Sequence, residues 1–275
     1  MKPLQACLLP LAVVLAICAS ACSPRSAPEQ IAFDGASDTN RAKQLAHGER
    51  LTAVLGCHGC HAEGMLGQKW DDDPAGYGVM WASNLTRSIP TMSDAQVLAV
   101  LQQGKHPSRA NLWIMPSELF QHLSPADSAA VLAYLRTLKP QGKLSPPPIL
   151  GPKAHQEIAN GTIRPAAVLV RETRDTLPAD LGTKFTLGRY ISAVTCAECH
   201  GLTLEGSEGG PPNLIVASAY SRPEFELLLT QGQALHGRKI DPLMTSVGKR
   251  RYSRMTPHER DELYAYLVAR AALPQ

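Results

Sequence analysis

The chain has 275 residues, enough for one large domain or two of ordinary size. Its apolar content of 44% allows a packed core, but aromatic residues make up only 5%, so either the cores are small or another apolar group fills them. The net charge of +3 is smaller than the basic excess typical of nucleic-acid-binding proteins, so we expect no nucleic acid among the partners.

The first 22 residues are typical of a secretory signal peptide, which we place at residues 1–22. Lys2 supplies a short positive region, the apolar run CLLPLAVVLAIC follows, and the small residues ASA form a cleavage signal. The apolar run is too short to span a membrane. We therefore expect the protein to be exported to the periplasm.

Cys22 directly follows this signal, and ASAC resembles a bacterial lipoprotein box in which Ala19 replaces the usual leucine. Two outcomes stay open. Lipidation of Cys22 would tether the protein to a membrane without a spanning helix, whereas plain cleavage after Ala21 would release it. Cys7 and Cys18 leave with the signal in either case.

Four further cysteines form two close pairs, each followed directly by a histidine, in CHGCH and CAECH: Cys57, Cys60, Cys196 and Cys199. The first pair by itself, within VLGCHGCHAEG, could belong to a disulfide, a zinc site, a redox dithiol or an attached haem. The pattern C-x-x-C-H is the signature of covalent haem attachment. Two thiols at this spacing reach the vinyl groups on one edge of the ring, and the adjacent histidine meets the iron. The second copy favours two covalently bound haem c groups.

The chain repeats itself around these motifs. In each half a glycine begins an apolar helical stretch before the motif, and another glycine, Gly67 or Gly206, lies six residues after the histidine. Further on, NLT at 84 and NLI at 213 precede helical segments that end at Gly104 and Gly232. The shared order predicts a duplicated unit.

Each half closes with a capped helix. In LSPADSAAVLAYLRTLKP, Ser124 is the predicted N-cap and Pro125 fits the first helical position, while Pro140 stops the helix. In MTPHERDELYAYLVARAALP, Thr256 and Glu259 form a predicted capping box. Since neither half contains a long alternating strand, we predict an all-α fold.

We place the first domain at residues 36–140 and the second at residues 186–273, with a long linker at 141–185. The linker is rich in Pro and Gly and weakly periodic, and its segment AAVLVRE could lie extended against a domain. A structureless loop of this length is unusual, so we expect the linker to wrap over the domain surfaces.

The two halves resemble class I c-type cytochrome domains. The pair is similar to dihaem cytochromes c and to the cytochrome subunits of membrane-associated periplasmic alcohol and sugar-acid dehydrogenases. The likeness covers nearly all of the mature chain except the linker. It implies that each iron has one motif histidine, His61 or His200, and one methionine as axial ligands. The family places this methionine ahead of the last helix, where the first half supplies Met115.

The second half offers two methionines for this role. Met244 lies six residues after Arg238, just as Met115 lies six residues after Arg109. Met255 directly precedes the predicted N-cap of the last helix and is interpreted as an apolar contact at the helix entry. We therefore predict Met244 as the second ligand of the second haem.

Several polar residues have open roles. His106 and His236 are the alternative axial ligands, which would give haems of lower potential, or they are loop residues near the haem edge. His58, between the first two cysteines, is expected to be solvated. Asn84 and Asn213 either donate to haem propionates or make turns, and Arg109 and Arg238 either pair with propionates or lie on the surface.

Members of the family often have a proline whose carbonyl accepts the proton of the proximal histidine. The sequence GPPNL supplies Pro211 or Pro212 for this role in the second half. The corresponding WASNL of the first half contains no proline, which leaves the orientation of His61 open.

Two haems with both axial positions filled leave no open site for a substrate, so an electron-transfer protein is favoured over an enzyme. It would carry single electrons between a periplasmic dehydrogenase or other donor and a downstream cytochrome or terminal oxidase. The alternative is a dihaem redox enzyme, peroxidase-like or thiosulfate-oxidising. The basic stretch GKRRYSR at 248–254 either docks an acidic partner near the second haem or is a solvated loop.

Overall fold

The computed structural model describes residues 31–274, so the predicted signal peptide and Cys22 lie outside the described residues. The chain from Ile31 onward forms one compact unit. This unit is mostly helical, as the sequence predicts, and it also contains a small three-stranded sheet. Within residues 31–274, no helix is both long and apolar enough to cross a membrane.

We call residues 31–140 the first half, 141–185 the connecting segment and 186–274 the second half. The helices of the first half are α1 (Arg41–Val54), α2 (Cys57–His61), α3 (Leu85–Ser88), α4 (Asp94–Gln103), α5 (Ser117–Phe120) and α6 (Pro125–Leu135). The connecting segment contains α7 (Pro152–Ala159) and α8 (Ala166–Glu172). The helices of the second half are α9 (Thr186–Val194), α10 (Ala197–His200), α11 (Arg222–Gln231), α12 (Pro242–Arg250) and α13 (Pro257–Ala271).

Short 3-10 helices and strands complete the described elements. The 3-10 helices lie at Glu63–Met65, Ile89–Thr91, Thr183–Phe185, Leu214–Ala219, Leu235–Gly237 and Tyr252–Arg254. The strands are β1 (Gln68–Asp73), β2 (Gly78–Ala82) and β3 (Ile149–Leu150).

The helix ends confirm the predicted caps. The Ser124 side chain accepts a backbone hydrogen bond at the start of α6, and Thr256 and Glu259 form the reciprocal capping box of α13. Helices α4 and α11 end at Gly104 and Gly232, whose φ angles are 63° and 65°. A glycine in this left-handed conformation ends a helix at little steric cost.

In each half the first long helix crosses the closing helix at a glycine. A Cβ on Gly48 of α1 would lie 2.0 Å from the carbonyl oxygen of Ala130 in α6. A Cβ on Gly188 of α9 would lie 2.2 Å from the carbonyl oxygen of Glu262 in α13. Both crossings therefore bring backbone against backbone, and their agreement supports the predicted internal repeat.

The sheet is the main departure from the predicted all-α fold. β1 and β2 form an antiparallel hairpin in the first half, and β3 pairs antiparallel with β2. β1 has the polar sequence QKWDDD and β2 has only five residues, so neither shows the alternation that marks a strand in a sequence. The sheet is completed by the connecting segment, a contact that no local pattern predicts.

The connecting segment lies over the first half and is more regular than expected. AAVLVRE, which could have been extended, forms α8 and packs against α4 and α5. Ala166 and Val170, four residues apart, are its buried positions, and the Ala166 amide donates to the carbonyl of Leu112 at 2.7 Å. Burial of one helical face against the first half stabilises a helix this short, which would not hold by itself in water.

The two halves meet through two buried carboxylates. Asp127, the third residue of α6, accepts a hydrogen bond from the hydroxyl of Tyr190 in α9 at 2.7 Å. Glu259, the third residue of α13, accepts from the guanidinium of Arg50 in α1 at 2.7 and 2.9 Å. Both carboxylates are 0% exposed, so each half supplies a hydrogen-bond donor to a buried polar group of the other, as buried polar groups require.

Candidate functional site

Both C-x-x-C-H motifs lie on a helical turn that follows a long helix. The second cysteine of each, Cys60 or Cys199, is exposed, Cys57 is half-buried and Cys196 is buried. All four carry free thiols. In the described part of the chain, no group of three or more His, Cys, Asp or Glu side chains is arranged to hold a metal ion.

Each motif histidine is held by a backbone carbonyl. Nδ1 of His61 lies 2.7 Å from the carbonyl oxygen of Ser83, and Nδ1 of His200 lies 2.7 Å from that of Pro212. A carbonyl oxygen only accepts, so Nδ1 carries the proton and donates it in both rings. Nε2 of each ring therefore keeps its lone pair for a metal ion.

The protonation state of both rings suits the same role. Burial lowers the pKa of His61 and of His200, and the hydrogen bond to the carbonyl opposes this effect in each case. A lowered pKa keeps the imidazole neutral at physiological pH, and the neutral ring is the form that binds a metal.

Ser83 is the acceptor that the sequence left open. Ser83 supplies the accepting carbonyl in the first half, although the segment WASNL contains no proline. Ser83 and Pro212 each directly precede the asparagine of the repeat, Asn84 or Asn213. The role therefore belongs to a backbone position rather than to proline, and the repeated Asn-Leu pair was the signal that could have found it.

The loops after the two motifs share three left-handed positions, and the loop of the first half has one more at Gly64. The residues one, four and six places after the histidine have φ values of 62°, 60° and 72° in the first half and 78°, 66° and 73° in the second. Side chains other than glycine rarely adopt such values, so the agreement supports the repeat at the level of single residues. They are Ala62, Met65 and Gly67, and Gly201, Leu204 and Gly206.

The last glycine of this loop positions the carbonyl that holds the histidine. Gly67 and Gly206 donate their amides to the carbonyl of their motif histidine, each at 2.8 Å. A Cβ on Gly206 would lie 2.3 Å from the carbonyl oxygen of Pro211, and one on Gly67 would lie 2.6 Å from the amide nitrogen of Asn84. Only glycine lets the loop pass this close, which explains its fixed distance from the motif.

A mostly apolar cleft opens beside the first motif. Its cavity volume is about 240 Å³, and Cys57, Cys60 and His61 line it. Met115, the predicted second ligand, and His106, its alternative, line the same cleft. The structure thus brings the whole predicted set of the first half together. Much of the remaining lining is aromatic or aliphatic, including Trp70, Trp81, Leu85, Trp113, Ile114 and Phe120.

The second half places its predicted residues differently. His200 is buried, whereas Met244 lies in α12 and is half-buried against the apolar core. A separate cavity formed by residues 232–245 is lined by Arg238 but by neither His200 nor Met244. His236 is exposed on a left-handed turn with φ 54°. Met255 is 3% exposed in the core, as expected for a contact at the helix entry.

A charged pair between the two motifs was missed by the sequence reasoning. Arg251 donates from Nη1 to Glu198 at 2.7 Å and from Nε to the carbonyl of Val54 at 3.2 Å. Its side chain is only 15% exposed, so it does not belong to a basic docking surface with its exposed neighbours Lys249 and Arg250. The sequence could not predict these contacts of Arg251 because the partners lie 53 and 197 residues away along the chain.

Both charges of this pair act on the thiols of both motifs. Burial raises the pKa of Cys57 to about 12, with Arg251 lowering the pKa and Glu198 raising it. Burial also raises the pKa of Cys60 and of Cys199, where Glu198 adds to the rise and Arg251 opposes it. The pair is therefore close enough to influence either motif.

Three other residues have structural contacts. His58, expected to be solvated, is half-buried with Nε2 3.3 Å from the hydroxyl of Thr52. The Asn84 amide donates to two carbonyls of the connecting segment at 2.8 and 3.0 Å, and the Asn213 side chain accepts from Arg270 at 3.0 Å. Both asparagines thus stabilise the backbone that carries the histidine acceptors.

Comparison with protein-family models finds no match to this chain, and comparison with curated proteins finds none either.

Proposed function

We propose that this chain is a periplasmic dihaem c-type cytochrome, with tandem class I cytochrome c domains at residues 36–140 and 186–273. The observation that carries the proposal is common to both motifs. Free cysteines precede a histidine whose Nδ1–H is bound by a carbonyl at 2.7 Å. Such a bond fixes the tautomer and the ring orientation of a histidine that binds a metal.

The residues of the first half fit a haem c group. In the first half, the two thiols and the histidine line one cleft whose other walls are mainly apolar, and a covalent haem needs such surroundings. Met115 would supply the second axial ligand there, with His106 as the alternative, and Met244 would do so for His200. When bound, the haems supply reversible one-electron transfer at the iron, and a methionine ligand raises the reduction potential.

The tasks of the chain's own residues follow from these contacts. Cys57, Cys60, Cys196 and Cys199 would hold the groups covalently. The carbonyls of Ser83 and Pro212 orient the motif histidines, and the apolar walls of the cleft would surround the haem of the first half. We propose a periplasmic dehydrogenase or another donor upstream, and a cytochrome or terminal oxidase downstream, with a membrane tether if Cys22 is lipidated.

Haem stoichiometry tests the proposal directly. We expect two covalent haems per chain when the full sequence is produced in a bacterium that matures c-type cytochromes. Replacing Cys57 and Cys60 with alanine, or Cys196 and Cys199, should leave one haem in each case, and replacing all four should leave none. Gly59→Ala is the matched control, since a Cβ there meets nothing within 4 Å. A wild-type chain without covalent haem would contradict the proposal.

The absorption spectrum of the ferric protein distinguishes an electron-transfer protein from a dihaem enzyme. We expect the methionine-to-iron charge-transfer band at the intensity of two haems and no turnover of peroxide or thiosulfate. A high-spin haem in the resting protein would instead favour the dihaem enzyme, since that reaction needs an open axial position.

A further inference from the structure

The two motifs are linked by one ion pair, Arg251–Glu198, which we call the inter-motif pair. Glu198 belongs to the second motif, CAECH. Arg251 follows α12 and reaches the end of α1, where its Nε donates to the carbonyl of Val54 at 3.2 Å, ahead of Cys57. A Cβ on Gly56, the residue next to Cys57, would lie 2.5 Å from Cζ of Arg251. The guanidinium thus touches the entry of the first motif and a side chain of the second.

The Arg251 end of the inter-motif pair is largely buried, whereas Glu198 is its more exposed end. The two side chains are 15% and 33% exposed, and Cζ of Arg251 lies 5.7 Å from the ring centroid of Tyr252. Tyr252 is buried, and its hydroxyl is 3.9 Å from Sγ of Cys196. Glu198 also lines the cleft that His61 lines. Partly buried charges are screened by salt and water much less than exposed ones.

Both charged residues of the inter-motif pair belong to the second half, and the equivalent positions of the first half are uncharged. The position of Glu198 within its motif is held by Gly59 in the first motif. Arg251 lies five residues before the N-cap Thr256, and Leu119 lies five residues before the N-cap Ser124. Neither Gly59 nor Leu119 is charged, so a single pair serves both motifs.

We propose that the inter-motif pair adjusts the reduction potentials of both haems together, Arg251 raising both and Glu198 lowering both. This inference rests on the proposed function. Oxidation of a haem adds one positive charge, which a nearby cation disfavours and a nearby anion favours. In the wild-type protein the two charges largely offset one another. Because the pair contacts both motifs, it moves both potentials in the same direction.

Redox titration of the haem-loaded protein tests the inference. We expect Arg251→Met to decrease the ratio of reduced to oxidised haem at a fixed potential by roughly three- to tenfold at both haems, where tenfold corresponds to 59 mV for one electron. Glu198→Gln should increase that ratio by a similar factor. The double variant should return close to the wild type, and Arg250→Met, at an exposed neighbour, is the matched control.

The opposite signs separate an electrostatic role from a merely structural one. Arg251→Lys keeps the charge and should keep both potentials, even if it loosens the contact with Val54. If Arg251→Met does not fold, Glu198→Gln still has to raise both potentials. Shifts of the same sign in Arg251→Met and Glu198→Gln, or shifts no larger than in Arg250→Met, would overturn the inference while two haems remain bound. Absence of covalent haem in the wild type would instead overturn the proposed function.

Discussion

The two closing helices, α6 and α13, begin alike but are held by different chemistry. The third residue of each is a fully buried carboxylate that accepts from the opposite half. Asp127 accepts a hydrogen bond from the neutral hydroxyl of Tyr190, whereas Glu259 accepts two from the charged guanidinium of Arg50. One position of a repeat therefore accepts a neutral or an ionic partner, provided that its buried acceptor atoms are satisfied.

The prediction with the largest effect compares the stability lost when the ionic partner is removed with that lost when the neutral partner is removed. Arg50→Met leaves Glu259 as a buried charge without its main partner, and we expect the free energy of unfolding to fall by about 3–5 kcal/mol. Tyr190→Phe should cost only about 1–3 kcal/mol, because Asp127 keeps bonds from the Phe33 amide, Ser124 and His47. Denaturant unfolding followed by circular dichroism measures both values. Equal decreases in the free energy of unfolding would mean that the ionic partner stabilises the fold no more than the neutral one.

The next effect tests whether the two motif loops are equivalent. Gly67→Ala and Gly206→Ala should each cost about 1–2 kcal/mol for the left-handed backbone and a further 1–3 kcal/mol or so for the overlap with the neighbouring segment. Gly209→Ala is the matched control, since its φ is also positive, at 70°, but a Cβ there meets nothing within 4 Å. Thermal unfolding should rank it as the mildest of the three. A harmless Gly67→Ala beside a severe Gly206→Ala would break the equivalence.

The third effect compares the two predicted methionine ligands. Met115→Leu should remove the charge-transfer band of one haem and leave that haem low-spin, because His106 lines the same cleft. Met244→Leu should leave its haem high-spin, since His236 is exposed on a turn. Electron paramagnetic resonance distinguishes the two states. Adding His106→Ala to Met115→Leu should then produce a high-spin haem, and a low-spin spectrum from that double variant would contradict this ligand exchange.

The smallest effect concerns a pair that only α13 possesses. His258 and Asp34 lie 2.9 Å apart, and the position of His258 is occupied by Ala126 in α6. The hydrogen bond and charge of Asp34 raise the pKa of His258. Burial would raise the pKa of Asp34, but hydrogen bonds from Thr256 and His258 and the charges of His258 and Arg50 lower it overall.

These shifts define the pH range in which the pair stabilises the fold. The contribution of His258 is complete below its ordinary pKa of about 6.5 and is lost as the pH rises through the raised value. The contribution of Asp34 is present above its ordinary pKa of about 3.9 and is lost as the pH falls through the lowered value. We expect His258→Gln to lower the melting temperature most between about pH 4 and 6.5. A difference that stays constant up to alkaline pH would contradict this assignment.

The sequence predicted the parts of the fold that depend on neighbouring residues. The caps at Ser124 and Thr256 and the helix ends at Gly104 and Gly232 were found because each is specified within one helical turn. The hairpin β1–β2 was missed, since its third strand comes from the connecting segment and its own residues do not alternate. Propensity in short polar strands is weaker than such tertiary contacts.

The two C-x-x-C-H motifs, the repeat around them and the candidate ligands could be predicted from the amino-acid sequence, because they depend on residue type and spacing. Three contacts depend on tertiary packing: the Ser83 carbonyl accepts from the His61 ring, Met115 and His106 line one cleft, and Arg251 lies between the motifs. A backbone carbonyl has no side-chain signature, and the ion pair depends on how residues far apart in the chain pack together.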